Sequence, residues 1–201
     1  MENTLKKIAR VLVIIVLNIV FRTFYRMKVI GKNNIPKSGA LIFCGNHKSY
    51  FDAPAITVTN PRKMRFLAKE ELRKVFLFAF LCWAFESIWV KRDSKDFTPI
   101  KEAMKTLKKG DCLGIFPEGT RNGMEKNNGE FKNGAAYLAL KTGAMIVPVG
   151  VIGNGKAFKK NAIVYGEPID LSEYQDMKID KEIEDEINEK LKIKILELIG
   201  E

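Results

Sequence analysis

The stretch "GALIFCGNHKSYFDAPAITVTN", residues 39–60, runs from apolar residues through a polar loop into a helical pattern. Residues 39–47 predict a short buried strand that ends at a histidine, and residues 49–60 predict the helix that follows it. His47 is the single histidine among the 201 residues, and Asp52 follows it five positions later. The stretch therefore predicts an α/β fold with a histidine at a strand end.

His47 and Asp52 can pair only across a helix boundary. Within one helix, five positions at roughly 100° each would leave the two side chains about 140° apart. Ser49, three residues before Asp52, is typical of a capping box, which predicts Ser49 at the N-cap and Asp52 in the first helical turn. Asp52 can then accept a hydrogen bond from Nδ1 of His47 and leave Nε2 to act as a base. A purely structural helix cap is the competing interpretation.

The pair matches two members of a Ser-His-Asp triad that lacks its serine. The hydroxyl of a substrate would then serve as the nucleophile.

The rest of the chain alternates strands and helices, and no internal repeat is visible. The predicted order is a strand, an aromatic-rich helix and a strand within 63–93, a helix ending at Gly110, a strand at 112–116, a helix and a strand within 134–151, a strand at 162–169 and an amphipathic helix at about 180–199. For the aromatic residues 75–85, core packing is favoured over the lining of a ligand tunnel.

The first segment combines an apolar run, residues 11–21, with flanking basic residues: Lys6, Lys7, Arg10, Arg22 and Arg26. The run is shorter than the roughly 20 residues a helix needs to cross a bilayer, and no small-residue cleavage site follows it. An amphipathic helix in the membrane interface is favoured, with a buried core helix as the alternative. We expect residues 1–30 to form a membrane-associating segment and residues 31–201 to form one domain.

The net charge of +10 is unevenly distributed. Residues 1–166 carry 29 lysines and arginines against 12 acidic residues, whereas residues 167–201 carry 5 against 12. The basic part fits a nucleic acid, an anionic membrane surface or a phosphorylated substrate. The lack of a helix-turn-helix and of aromatic and basic residues interleaved on strands argues against nucleic acid. The three cysteines form no Cys-x-x-Cys pair, so neither a disulfide framework nor a metal site is predicted.

The stretch "FPEGTRN", residues 116–122, leaves a predicted strand as a polar turn. Gly119 allows a tight turn, after which Thr120 and Arg121 direct hydrogen-bond donors into the crevice at the strand end. The guanidinium of Arg121 suits a phosphate. A simple turn is an equal alternative for this stretch alone.

Two further stretches adjoin predicted strands. "IWVKRD", residues 88–93, supplies Arg92 as a second guanidinium, and "MIVPVGV", residues 145–151, contains Pro148 where a strand is otherwise predicted. Because proline lacks an N–H, it is expected at an edge strand or a bulge. A surface charge for Arg92 and a simple edge strand for Pro148 stay open beside ligand-binding roles.

The blocks "NHKSYFD", "SIWVKRD", "FPEGTRN" and "IVPVG" occur in this order between residues 46 and 150, about half the chain. Together they resemble the four blocks of the glycerophospholipid acyltransferases, the family of 1-acylglycerol-3-phosphate acyltransferase. The resemblance implies a single-domain α/β acyltransferase fold, with a mixed sheet flanked by helices and an active site facing the membrane. It implies transfer of a fatty acyl group from an acyl thioester to the 2-hydroxyl of 1-acylglycerol-3-phosphate, giving phosphatidic acid.

The resemblance also implies a role for each block. His47 would be the general base and Asp52 its orienting partner. The other implied roles concern binding: Arg92 and Arg121 hold the acceptor's phosphate, Glu118, Gly119 and Thr120 shape the glycerol site, and Pro148 lines the acyl-donor region.

No cofactor or metal is expected, because the co-substrate would be the thioester of acyl-CoA or acyl carrier protein. The basic cluster Arg62, Lys63 and Arg65 suits either donor. The expected location is the anionic surface at the cytoplasmic face of the cell membrane, peripheral or monotopic.

One position departs from the family pattern, since Glu86 stands where the second block usually opens with glycine. A carboxylate there would repel a phosphate or select another head group. Acylation of another lysophospholipid or of glycerol-3-phosphate therefore stays an alternative, as do a membrane-binding protein without activity and a basic nucleic-acid-binding protein.

Overall fold

The computed structural model describes residues 4–91, 96–122, 130–153, 155–174 and 177–200. The strands are β1 (Met27–Ile30), β2 (Leu41–Gly45), β3 (Met64–Lys69), β4 (Ile88–Val90), β5 (Cys112–Ile115), β6 (Met145–Ile152) and β7 (Asn161–Tyr165). The α-helices are α1 (Thr4–Thr23), α2 (Asp52–Thr59), α3 (Phe76–Ala84), α4 (Thr98–Lys108), α5 (Gly134–Thr142) and α6 (Lys181–Ile199). Short 3-10 helices cover Lys32–Asn34, Glu70–Lys74 and Ser172–Tyr174.

The strands form one mixed sheet in the order β1-β7-β6-β2-β5-β3-β4. The strands from β6 to β4 in this order run parallel, whereas β7 is antiparallel to β6 and β1 is parallel to β7. One face of the sheet packs on α1 and α2, through residues such as Phe21 and Ile56. The other face packs on α4, α5 and α6, through residues such as Leu107, Leu138 and Leu191. The predicted mixed sheet flanked by helices is confirmed.

The last helix, α6, shows how the apolar pattern places an element. Ile187, Leu191 and Ile195 are four positions apart, lie on one stripe and are all buried. The carboxylate of Asp180 accepts a hydrogen bond from the N–H of Ile183 and caps the N-terminus, and Gly200 ends the helix with φ = 79°. The predicted amphipathic packing helix is confirmed.

The sheet register brings two of the quoted blocks to the same edge. Cys44 of β2 pairs with Ile115 of β5 on one side and with Pro148 of β6 on the other. Because parallel strands end at the same edge of a sheet, the residues after Gly45 and after Ile115 emerge side by side. The crevice between the ends of β2 and β5 is therefore the place where these blocks meet.

The edge-strand interpretation of Pro148 is wrong, because β6 lies between β7 and β2 inside the sheet. The bulge interpretation fits. Val149 pairs with Tyr165, whereas Ile146 pairs with Ile169, so residues 166–168 stand opposite residues 147–148. The carbonyl of Pro148 accepts from the N–H of residue 166. Because the nitrogen of Pro148 points to the same side of the strand as this carbonyl, the missing N–H faces the irregular stretch and not a regular strand.

The aromatic helix α3 contradicts the prediction of core packing. Ala84 is its one buried residue, and Phe76 is 85% exposed. The helix contacts α1 rather than lying between the sheet and a second layer. Composition alone could not show that α3 is covered on one side only and leaves residues such as Phe76 and Leu77 exposed.

Helix α1 is confirmed as a helix and is only partly covered. Phe21 is buried, and Ile14 and Leu17 pack against the core. Its outward apolar side chains are exposed: Leu5, Ile8, Val11, Leu12, Ile15, Val16 and Ile19. Within the described residues, no helix has both the length and the apolar character required to cross a membrane.

Gly114 of β5 provides a test of the core under the site. A Cβ at this position would overlap the ring of Phe66, which lies directly over the glycine. We expect Gly114→Ala to lower the free energy of unfolding by about 1–3 kcal/mol, the usual cost of overpacking a core. Urea unfolding measures this loss.

Gly134→Ala is the matched control, because a Cβ at Gly134 would meet no atom within 4 Å. Equal unfolding midpoints for the two variants would contradict this account of the Phe66 packing.

Candidate active site

The centre of the site is a hydrogen bond between His47 and Asp52. Nδ1 of His47 lies 2.9 Å from Oδ2 of Asp52. Asp52 is buried, and its Oδ2 also accepts the backbone N–H groups of Lys48 and Ser49, each at 2.7 Å. One carboxylate oxygen therefore holds the loop and the imidazole together.

The predicted cap at Ser49 is wrong, although Asp52 lies in the first helical turn as predicted. Helix α2 begins at Asp52, and the position before it is Phe51, whose side chain is no cap. Ser49 uses its hydroxyl inside the loop, where Oγ accepts from the N–H of Phe51 at 2.9 Å. Only half of the capping box exists: the acidic side chain accepts from the loop N–H groups, but the serine hydroxyl does not cap the helix.

The hydrogen bond assigns the tautomer of His47. An ionised carboxylate can only accept, so Nδ1 carries the proton and Nε2 has a free lone pair. The imidazole side chain is 20% exposed, which allows a ligand to approach it. The arrangement suits a general base whose positive charge, once it takes a proton, is stabilised by Asp52.

The backbone of His47 is fixed by the "FPEGTRN" block. Its N–H donates to Oε1 of Glu118 at 2.9 Å, and its carbonyl accepts from the N–H of Asn122 at 2.6 Å. Glu118 is 1% exposed, so its carboxylate serves this loop and not the solvent. Two blocks that are about 70 residues apart in sequence thus form one rigid site.

Asn46 also supports the histidine, a role that the sequence analysis did not assign to it. Its side chain is fully buried, donates to the carbonyl of Val151 at 3.0 Å and accepts the N–H of Val151 at 2.6 Å. The two hydrogen bonds tie the residue before His47 to the end of β6. A polar side chain next to the histidine in the first block was the signal available for this role.

Phe116 is a second supporting residue that sequence reasoning did not single out. Its ring stacks on the imidazole of His47, with a centroid distance of 4.0 Å and an interplanar angle of 12°. Phe66 stacks on the other side of Phe116 at 5.6 Å. The stack limits rotation of the imidazole plane, while Asp52 fixes its hydrogen-bonded edge.

The turn at Gly119 has the left-handed backbone that its sequence suggested, with φ = 66°. Its N–H donates to the carbonyl of Phe116 at 3.0 Å. The stem of Lys132 covers the glycine, since a Cβ there would lie 2.7 Å from Cε of Lys132. Lys132, another residue missed from the sequence, therefore adds an ammonium group beside the turn.

Thr120 and Arg121 follow this turn at the open side of the site. Thr120 is half-buried and Arg121 is exposed. The guanidinium of Arg121 lies over the ring of Tyr50, with Cζ 3.7 Å from the ring centroid. Because Tyr50 stands between His47 and Asp52 in sequence, this contact places Arg121 next to the loop of the base.

The remaining predicted site residues lie apart from this cluster or outside the described chain. Arg92 lies outside the described residues. Pro148 is buried and pairs with Cys44 of β2, which lies three residues before His47 in the sequence. Its proposed contact with an acyl donor stays a prediction.

Glu86 does not lie at the site end of the sheet. Ile88 pairs with Leu67, so Glu86 lies beside Arg65, two residues earlier in each segment. Arg65 pairs with Leu113 of β5, which in turn pairs with Ile42 of β2, so Glu86 is level with Ile42. This is five residues before His47, or about 16 Å along a strand. The interpretation that its carboxylate repels a bound phosphate is therefore wrong.

Glu86 instead serves the structure. Its carboxylate pairs with Lys63 at 2.8 Å and with Lys6 of α1 at 3.9 Å. Its φ of 54° lies in the left-handed region, which explains why glycine suits this position.

The cluster Arg62, Lys63 and Arg65 is largely engaged inside the protein, which argues against a role in holding either donor; that role stays a prediction. Arg62 donates to three carbonyls, those of Pro36, Gly39 and Gly110. Arg65 donates to the carbonyl of residue 86 and to the side chains of residues 106 and 102.

Cys44, close to His47 in sequence, is no candidate nucleophile. It is fully buried, and burial raises the pKa of its thiol well above the ordinary range. Burial also raises the pKa of the Cys112 thiol to about 11. Both thiols stay protonated near neutral pH, so neither is suited to act as a nucleophile. Across the described ranges, no three His, Cys, Asp or Glu side chains are grouped to hold a metal ion.

A histidine oriented by a buried carboxylate, with an exposed arginine beside its loop, is an arrangement that suits proton abstraction from a substrate hydroxyl. Residues 26–152 match the family model described as Acyltransferase, and the chain belongs to this acyltransferase family. The resemblance that the four blocks carried is thereby confirmed.

Two curated relatives give the comparison more detail. The chain is 34% identical over 177 residues to the 1-acyl-sn-glycerol-3-phosphate acyltransferase of Borreliella burgdorferi, covering 81% of this chain and 70% of that protein. It is 29% identical over 154 residues to the Bacillus subtilis protein of the same name, covering 74% and 76%.

A solved structure has the same fold. The crystal structure of the 1-acyl-sn-glycerophosphate acyltransferase PlsC of Thermotoga maritima matches with a TM-score of 0.68 and 27% identity. The match covers 96% of this chain and 79% of that one.

Proposed function

We propose that this protein transfers a fatty acyl group from an acyl thioester to the 2-hydroxyl of 1-acylglycerol-3-phosphate, giving phosphatidic acid. The observation that carries the proposal is the His47–Asp52 hydrogen bond of 2.9 Å, which leaves Nε2 available on a partly exposed imidazole. The names of the curated relatives support the reaction and its acceptor.

The mechanism uses His47 as a general base. Nε2 takes the proton of the acceptor's 2-hydroxyl while that oxygen attacks the thioester carbonyl carbon. The tetrahedral intermediate collapses, the C–S bond breaks, and the imidazolium returns the proton to the leaving thiolate. Asp52 keeps the tautomer and stabilises the imidazolium. A general base of this kind contributes about 10²–10⁴-fold, and alignment of the two lipids adds further acceleration.

The acceptor's phosphate is placed at Arg121, with Arg92 as the second guanidinium. Arg121 is exposed next to the histidine loop, and the ammonium of Lys132 lies by the same turn. Gly119 and Thr120 then shape the glycerol site directly, whereas Glu118 shapes it through the backbone of His47.

The position of Glu86 supports a phosphate-bearing acceptor. Its carboxylate is paired with Lys63 and lies at the other end of the sheet, so it gives no reason for a different head group. Another lysophospholipid or glycerol-3-phosphate remains the alternative acceptor that the assay must include.

The donor in this proposal is acyl-CoA or acyl carrier protein thioester, and Pro148 lines its acyl region. No cofactor or metal takes part, because proton transfer and phosphate binding are both supplied by side chains. The basic surface attracts either donor, since each is anionic.

Within the predicted segment 1–30, membrane association is proposed for α1, because β1 at the end of that segment belongs to the sheet of the acyltransferase domain. Helices α1 and α3 contact each other, and each carries exposed apolar side chains, among them Leu12 and Val16 on α1 and Phe76 on α3. Basic residues on α1 suit anionic lipid head groups. A peripheral or monotopic position on the cytoplasmic face fits the three free cysteines.

The reaction is tested with labelled acyl-CoA and acyl carrier protein thioester as donors in mixed micelles. We expect transfer to 1-acylglycerol-3-phosphate to exceed transfer to glycerol-3-phosphate and to lysophospholipids with larger head groups. A preference for one of the latter would replace the proposed acceptor, and no transfer to any would refute the proposed function.

The membrane surface is tested by Leu12→Glu/Val16→Glu on α1. Both side chains are 58% exposed, so the change removes outward apolar area without opening the core. We expect partition onto phosphatidylglycerol vesicles to fall about tenfold or more, because apolar contact and charge attraction are both reduced. Vesicle sedimentation measures the partition.

Met177→Glu/Ile193→Glu is the matched control, since both residues are exposed apolar residues outside α1 and α3. Equal losses in the two double variants would show that net charge alone determines binding.

A further inference from the structure

Arg121 and Tyr50 form a close cation–π pair at the opening of the site. The distance of 3.7 Å from Cζ to the ring centroid lies well inside the limit of about 6 Å for such contacts. Both residues are exposed, Tyr50 by 46%. The loop that carries the base therefore also carries the ring on which the arginine rests.

Stacking holds the guanidinium without using its donors. The N–H groups of arginine lie in the plane of the guanidinium, whereas the ring contacts its face. Within the part of the chain that the structure describes, Arg121 makes no hydrogen bond and no ion pair. Its edge is thus available for the paired hydrogen bonds that a phosphate accepts. A carboxylate partner in place of the ring would occupy that edge.

The ring of Tyr50 is itself supported from behind. Phe78 of α3 lies 5.0 Å from it between centroids, at an interplanar angle of 30°. The hydroxyl of Tyr50 has no hydrogen bond to a described residue. The ring, rather than the hydroxyl, is the part that positions Arg121.

We propose that Tyr50 is a positioning residue that orients Arg121 to receive a phosphate monoester. The inference rests on the proposed function for the reaction in which the phosphate-bearing substrate takes part. The binding of a phosphate at Arg121 does not depend on that reaction. The phosphate comes from the acceptor lipid or from the 3′-phosphate of a CoA donor, since both present the same three oxygens. Tyr50 acts through Arg121 and takes no part in proton transfer.

Steady-state kinetics of Tyr50→Leu and Tyr50→Phe test the proposal. Tyr50→Leu raises KM for the phosphate-bearing substrate about threefold to tenfold, the range of a partly exposed cation–π contact, and changes kcat by less than about twofold. Tyr50→Phe keeps the ring and restores KM. A rise in KM for 1-acylglycerol-3-phosphate identifies the acceptor's phosphate, and a rise for acyl-CoA but not its 3′-dephospho analogue identifies the donor's.

A double-mutant cycle separates positioning from a general structural effect. In an Arg121→Gln background, Tyr50→Leu causes no further rise in KM, because the group that it positions is gone. Phe51→Leu is the control. Phe51 is a neighbouring exposed ring that contacts Phe21 and Tyr25, so its loss leaves KM for phosphate-bearing substrates unchanged.

Equilibrium binding distinguishes failure of this inference from failure of the proposed reaction. The ligand pairs are coenzyme A with 3′-dephospho-coenzyme A, and 1-acylglycerol-3-phosphate with 1-acylglycerol in mixed micelles. A preference for a phosphorylated ligand that Tyr50→Leu abolishes and Tyr50→Phe keeps supports the inference even if no transfer occurs. Equal affinities of wild type and Tyr50→Leu for every phosphorylated ligand, or no preference for phosphate in the wild type, overturn it.

Discussion

Replacing His47 by alanine is expected to reduce kcat by about 10²–10⁴-fold, the usual contribution of a general base. Asp52 orients the imidazole and Phe116 stacks on it, and alanine supplies no nitrogen in place of Nε2. His47 is also the only histidine of the chain. The measurement is single-turnover acyl transfer in mixed micelles, which separates the chemical step from product release.

The fold of His47→Ala should be nearly intact. The side chain is partly exposed, and the backbone hydrogen bonds to Glu118 and Asn122 do not need the imidazole. Circular dichroism and vesicle binding should match those of the wild type. Transfer that stays within about tenfold of the wild type would rule out His47 as the base.

Replacing Asp52 should separate catalysis from stability. Asp52→Asn removes the charge that stabilises the imidazolium, and we expect kcat to fall by about 10²–10⁴-fold, as for the aspartate of a catalytic triad. An asparagine oxygen can still accept the N–H groups of Lys48 and Ser49, so the loop is largely kept. Asp52→Ala leaves both donors unpaired and should lower the free energy of unfolding by about 2–4 kcal/mol in addition.

Urea unfolding and initial rates, measured on both variants, test this separation. Asp180→Asn is the matched control, because Asp180 caps α6 away from the site and its change affects stability alone. If Asp52→Asn kept full activity, Asp52 would be a structural cap, the alternative that the sequence left open.

The elements that the sequence predicted well are those with a local signal. The buried strands β2 and β5, the stripe of α6 and the left-handed turn at Gly119 follow from apolar period and glycine placement. The His47–Asp52 pair followed from spacing across a helix boundary, which needs only the loop geometry between them.

The incorrect predictions concern surroundings rather than elements. Core packing of α3, the edge position of Pro148 and the charge near Glu86 each depended on what lies beside the residue in space. An aromatic helix has the same composition whether a second layer covers it or not. A proline in an inner strand is tolerated only because a bulge faces its missing donor, and that pairing is not local.

By itself, then, the sequence determined the alternation of strands and helices, the acyltransferase blocks and the pairing of His47 with Asp52, because these depend on near neighbours along the chain. Only the tertiary structure decided which residues hold His47 from outside its own block. Glu118 and Phe116 reach it by a hydrogen bond and by stacking that depend on the pairing of β2 with β5, and Val151 of β6 holds Asn46, the residue before it. The physical reason is that strand pairing joins residues far apart in sequence, and no local pattern fixes which strands become neighbours.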